Sequence, residues 1–72
     1  MKNPLLELSR TDIEYFIDEW IVGNNAQRDR EILKRRLIDG LSYYELSDEF
    51  NLSLPQIKMI VKKRQEHLFK HI

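Results

Sequence analysis

The sequence predicts an all-α domain of four helices, and three observations carry that expectation. Apolar residues recur at helical spacing in successive segments, as in Ile13, Phe16, Ile17, Trp20 and Ile21. These segments are separated by Gly23-Asn24-Asn25, Asp39-Gly40 and Asn51-Leu52-Ser53, residue types that end one helix and cap the next. Only two glycines and two prolines occur, which leaves little material for hairpins.

Residues Met1–Arg10 read as a short flexible N-terminal arm, with Leu5, Leu6 and Leu8 available to dock on a core. Thr11–Ile72 reads as a single helical domain. The first helix is expected to begin at Thr11, because Thr11-Asp12-Ile13-Glu14 fits a capping box in which hydroxyl and carboxylate each satisfy a free backbone donor. Gly23-Asn24-Asn25 ends it, glycine and asparagine being tolerant of the left-handed conformation. The second helix is expected over Ala26–Ile38, with Ile32, Leu33 and Leu37 inward and Gly40 just past its end. Ser42 is placed to cap a third helix, Tyr43–Phe50, whose inner face is Tyr43, Leu46, Ser47 and Phe50. Ser53 caps the fourth, and Pro55 falls in its first turn, where a missing N–H costs nothing. Ile57, Ile60 and Val61 form its buried face, with Leu68, Phe69 and Ile72 as an extension.

Composition narrows the class. With 72 residues the chain is near the smallest size at which a hydrophobic core alone holds a fold. Its 42% hydrophobic and 33% charged residues suit a compact domain rather than a disordered tail. The absence of cysteine excludes a disulfide framework, a thiol nucleophile and cysteine-ligated zinc, and suits a reducing compartment. The opening residues contain no long apolar run, so neither a signal peptide nor a membrane span is expected, and a cytoplasmic location is. Net charge is formally zero, but it is polarised. Over Met1–Asn25, Lys2 and Arg10 face Glu7, Asp12, Glu14, Asp18 and Glu19. Over Ser53–Ile72, Lys58, Lys62, Lys63, Arg64 and Lys70 face Glu66 alone. A zero sum distributed this way still offers one face to an anion.

Ser42–Arg64 carries the functional expectation: a helix-turn-helix. Two short helices joined by a tight turn cross steeply and need apolar side chains from both, here Leu46 and Phe50 against Ile57 and Ile60. Leu52 plugs the angle between them. Ser47 is small enough for the closest approach, and Asn51 accepts the positive φ that follows the first helix. A second helix held in this way, about Leu54–Glu66, presents its N-terminal turn to a major groove.

The stretches Gln27-Arg28-Asp29-Arg30-Glu31-Ile32-Leu33 and Ile38-Asp39-Gly40-Leu41-Ser42-Tyr43-Tyr44-Glu45-Leu46-Ser47 resemble region 4 of bacterial RNA polymerase sigma factors. They are similar also to the four-helix output domains of quorum-sensing and response regulators. The resemblance runs from about Gln27 to Arg64. It implies a tetrahelical DNA-binding fold whose last helix reads bases, and an ion pair between Arg30 and Glu45 that locks two helices together. Asn25-Ala26 replaces the family's Leu-Pro, Asn51 its turn glycine and Ser47 its alanine. Leu54, Pro55 and Met59 stand where housekeeping sigma factors carry charged or polar residues. The chain is thus more similar to small phage or mobile-element regulators built from this domain alone.

The candidates for base contact are Leu54, Pro55, Gln56, Lys58 and Met59. Glutamine suits adenine, lysine suits guanine, and Leu54 and Met59 suit thymine methyl groups. The candidates for phosphate contact are Ser42, Tyr44, Ser53, Lys62, Lys63 and Arg64, supplying charge and hydroxyls for positioning. The competing reading is a solvated helix face whose lysines offset the helix dipole. Arg35 and Arg36 have the same two readings.

Two functions follow. One is sequence-specific binding of double-stranded DNA in transcription regulation. The other is a protein-interaction adaptor that docks on RNA polymerase, a sigma factor or a phage protein through Leu54 and Met59. A homodimer is an open arrangement: Leu68, Phe69 and Ile72 either form its seam or pack back on Trp20. The outer face of the first helix, Glu14, Asp18 and Glu19, suits a basic partner or mimicry of nucleic acid. No enzyme is expected. His67 and His71 have the i, i+4 spacing of paired metal ligands but no third ligand, so no metal is assigned. Glu45, Asp48 and Glu49 read as a solvated face. No phosphate-binding loop or nucleophile elbow occurs, and no cofactor is assigned.

Overall fold

A computed structural model describes residues 9–70, and these form α1 (Arg10–Trp20), α2 (Ala26–Leu37), α3 (Tyr43–Phe50) and α4 (Leu54–Phe69), with no strand among the described residues. Residues 1–8, which include Leu5, Leu6, Leu8 and most of the expected arm, lie outside the described residues, as do His71 and Ile72. The pairing of His67 with His71 therefore lies outside them too.

α1 starts earlier than expected. Its N-cap is Ser9, whose hydroxyl accepts from the Asp12 N–H at 3.2 Å while the Asp12 carboxylate accepts from the Ser9 N–H at 3.3 Å. Two capping boxes overlap here, Ser9/Asp12 and Thr11/Glu14. The earlier one wins because it adds backbone hydrogen bonding, including Ile13 N–H to the Ser9 carbonyl at 3.0 Å. Thr11 is thus inside the first turn, and the arm ends before Arg10.

α1 gives way to Ile21, fully buried just past the last helical residue. The chain then reverses through Gly23 (φ 92°) and Asn25 (φ 60°), the residue types that tolerate positive φ. Gly40 (φ 74°) does the same after α2. There the Leu41 N–H reaches back to the Arg35 carbonyl at 3.0 Å.

The core takes apolar residues from all four helices: Ile13 and Ile17 of α1, Ile21 after it, Ile32 and Leu33 of α2, Leu46 of α3, and Ile57, Ile60, Val61 and Leu68 of α4. Each fully buried side chain of this kind contributes about 1.5–3 kcal/mol. Phe16, Trp20, Leu37, Phe50, Leu52 and Phe69 pack around that cluster, half-buried. α2 and α4 each touch the other three helices.

α4 runs through Leu68 to Phe69, the extension expected from the sequence, and its far end is part of the core. Leu68 is fully buried, which removes it from any dimer seam. Its position three turns after Ile57 keeps it on the same inward stripe. No helix among the described residues is long and apolar enough to cross a membrane.

Candidate nucleic-acid interface

α3, a three-residue link and α4 are joined by interlocking caps. The Ser42 hydroxyl accepts from the Glu45 N–H at 3.1 Å and starts α3. Asn51 ends it in the left-handed region, φ 54° and ψ 44°. The Leu52 N–H donates to the Ser47 carbonyl at 3.1 Å, and the Ser47 hydroxyl donates to the Leu52 carbonyl. Ser47 is therefore more than a small residue: its hydroxyl closes the link from the α3 side. Ser53 and Gln56 then form a capping box that opens α4, with Pro55 in the first turn. The link is satisfied at both ends, so α4 leaves it in a fixed direction.

This arrangement decides which α4 side chains face out. Ile57, Ile60 and Val61 turn inward. Pro55, Gln56, Lys58, Met59, Lys62 and Lys63 are exposed, and Leu54 is half-buried. Of the expected base contacts, Met59 is the most prominent apolar one, 61% exposed beside the exposed Val22 at the end of α1. Tyr44 is 75% exposed, the most of any large hydrophobic residue among the described residues. Ser42 and Ser53, expected at phosphates, have their hydroxyls engaged in caps.

Arg64 belongs to the interior rather than to the outward face. Its Nε donates to the Asp29 carboxylate at 2.8 Å, and its two terminal nitrogens donate to the Val22 and Asn24 carbonyls at 3.1 and 3.0 Å. Asp29 is 4% exposed, the one buried charged residue among the described residues, and Arg28 contacts it from the same helix at 3.1 Å. A buried carboxylate needs such partners. Arg64, expected at a phosphate, is thereby committed to the α1–α2 link and α2. The Arg30–Glu45 pair implied by the resemblance does not form. Arg30 donates to the Ile21 carbonyl at 2.7 Å, capping α1, and the bridge between α2 and α3 is Arg35 to Glu49 at 2.7 Å.

The other cations sort cleanly. Arg10 pairs with Asp39, Lys34 with Asp18, and Arg35 with Asp39 and Glu49. Arg36 donates to the Leu41 carbonyl at 2.8 Å and stacks on Tyr43, 4.3 Å from the ring centroid. Neither Arg35 nor Arg36 is left as a solvated cation. Among the described residues, the lysines without an anionic partner are Lys58, Lys62, Lys63 and Lys70, all on α4 or its cap, while Arg30 and Arg36 are held by carbonyls instead. Lys58 lies on the Tyr43 side, its ammonium 6.0 Å from that ring.

Acid borders this face as well. Glu45 and Asp48 are exposed, and with Tyr44 they line an open recess against Asn51, Leu52 and Ser53. The α3 side of the link is thus negative and the outer side of α4 positive.

Sequence reading missed the Asp29–Arg64 tie, although a signal was present. Asp29 sits on the inward stripe with Ile32, Leu33 and Arg36, where an acid must find a buried cation. No family model, curated protein or solved structure matches the chain.

Proposed function

We propose that the chain binds double-stranded DNA, with α3, the link and α4 acting as a helix-turn-helix and the first half of α4 entering the major groove. The observation that carries this reading is the placement of unpaired positive charge. The described arginines and Lys34 are held by carboxylates or carbonyls, while Lys58, Lys62 and Lys63 project from one helix beside an apolar centre of Pro55 and Met59. Unpaired lysines supply affinity through phosphate charge and release of counterions. The apolar centre suits thymine methyl groups in the groove. Such a module serves transcription regulation in the manner of the phage-type regulators it resembles.

Glu45 and Asp48 limit the docking. They disfavour a phosphate at the α3 side of the link, so Tyr44, which lines the same recess, is a weaker phosphate contact than Lys62 or Lys63. The DNA backbone is expected along the lysine flank of α4.

The test is fluorescence anisotropy of a labelled duplex pool across a salt series. With Lys58, Lys62 and Lys63 each neutralising a phosphate, log K should fall against log salt with a slope of about −3. Lys62→Gln and Lys63→Gln should each flatten it by about 0.9. A slope unchanged in both variants overturns the assignment.

A second reading rests on Met59 and Val22, two exposed apolar side chains that line one recess with Arg28 and Lys63. A patch of this kind suits a protein partner such as RNA polymerase or another transcription protein. Stoichiometric retention of one protein that is lost in Met59→Asp, with DNA affinity absent, favours it.

A further inference from the structure

Gln56 makes an unusual use of its carboxamide, and the consequence bears on which base it recognises. The Ser53 backbone N–H donates to Gln56 Oε1 at 3.1 Å, and the Ser53 hydroxyl donates to the same oxygen at 3.1 Å. A backbone N–H can only donate, so the atom facing it is the carbonyl oxygen and the amide orientation is fixed by chemistry. That oxygen has two lone pairs, and both are taken. The hydroxyl in turn accepts from the Gln56 N–H at 3.3 Å, which closes the box. The side chain is exposed, and what it has left to offer is its NH2 group alone.

The usual glutamine contact, bidentate to adenine, needs the oxygen to accept from N6 while the nitrogen donates to N7. Here the accepting half is occupied. We infer that Gln56 is a donor-only reader that selects guanine, whose major-groove edge presents two adjacent acceptors, O6 and N7, and that rejects cytosine, whose N4 is a donor. This reverses the adenine preference expected from residue type. Ser53 is the positioning residue: it holds the oxygen away from the base. The inference rests on the DNA-binding reading and names one position of the site within it.

In vitro selection from random duplexes, with the wild-type chain and two variants, tests it. Gln56→Glu keeps an accepting oxygen for the capping box and turns the outward group from donor to acceptor. Gln56→Met removes the outward polar group without adding charge. The wild type should enrich guanine at one position, by roughly tenfold over the disfavoured base, the size of a typical single mismatch. Gln56→Glu should move that position to cytosine, and Gln56→Met should flatten it while the remaining positions persist. Adenine at the position sensitive to Gln56, or a motif identical in all three proteins, overturns the inference and leaves DNA binding standing. Failure of the wild type to retain any duplex overturns both. Thermal melts followed by circular dichroism check that each variant is folded.

Discussion

Arg64 on α4 lies 2.8 Å from the carboxylate of Asp29 on α2, and its remaining nitrogens hold the Val22 and Asn24 carbonyls of the α1–α2 link. One guanidinium therefore fastens three parts of the chain behind the outward face of α4. Lysine cannot reproduce a fork that serves a carboxylate and two carbonyls.

Arg64→Met should destabilise the fold by about 2–4 kcal/mol, read from urea denaturation. It leaves a buried carboxylate with Arg28 as its sole cation. Arg64→Lys should lose most of the same amount. In the folded fraction of Arg64→Met, which removes the charge, the salt slope of DNA binding should match the wild type. A flattened slope would return Arg64 to the phosphate contacts.

The two ends of α4 should behave differently. Leu68→Ala removes a fully buried side chain and should cost about 3 kcal/mol. Met59→Ala, on the exposed face, should change stability by less than about 0.5 kcal/mol while weakening any contact made there. Thermal melts of the two proteins separate core from interface. Equal losses would contradict the placement of the α4 stripe.

Glu45 and Asp48 should oppose DNA. Glu45→Gln and Asp48→Asn are each expected to tighten duplex binding about two- to threefold at low salt, with the gain fading as screening increases. Anisotropy at two salt concentrations checks this. Weaker binding in either variant would mean that the acid makes a contact of its own, such as accepting from a cytosine amine.

Lys34 on α2, paired with Asp18 on α1, supplies a pH signature away from α4. Its side-chain hydrogen bond to Asp18, the main cause, raises its pKa above the ordinary 10.5, against a smaller desolvation effect and aided by the nearby charges of Asp18, Glu31 and Glu14. A raised folded pKa stabilises fully below the unfolded value and is lost as pH climbs through the folded one. The contribution should therefore persist at neutral pH and disappear above about 10.5. Titration of the Lys34 side chain by NMR should show the pKa falling in Asp18→Asn. An unmoved titration would break the link between the two residues.

Much of the fold was legible in the sequence because the signals were local. Ser42 and Ser53 as caps, Asn51 and Gly40 at positive φ, and the inward stripe of Ile57, Ile60 and Val61 each follow from residue type and spacing over a few positions. The start of α1 was misplaced because Ser9/Asp12 and Thr11/Glu14 offer the same chemistry two residues apart. Long-range partners were less legible. Arg28, Arg30, Arg35, Arg36 and Arg64 are alike in sequence, yet Arg28 and Arg64 converge on Asp29 while the others find Ile21, Glu49 and Leu41, and separations of up to 42 positions along the chain decide which. The outward lysines were found, but their distinction, the lack of an anion beside them, appears only once the arginines are assigned.

Titrating a duplex carrying the selected site into the isotopically labelled chain and following amide resonances tests the assignment of α4 most directly. The largest shifts should fall on Leu54–Lys63, with little change over Ile13–Trp20 of α1. Shifts centred on α1, or none at all at low salt, would contradict groove recognition by α4.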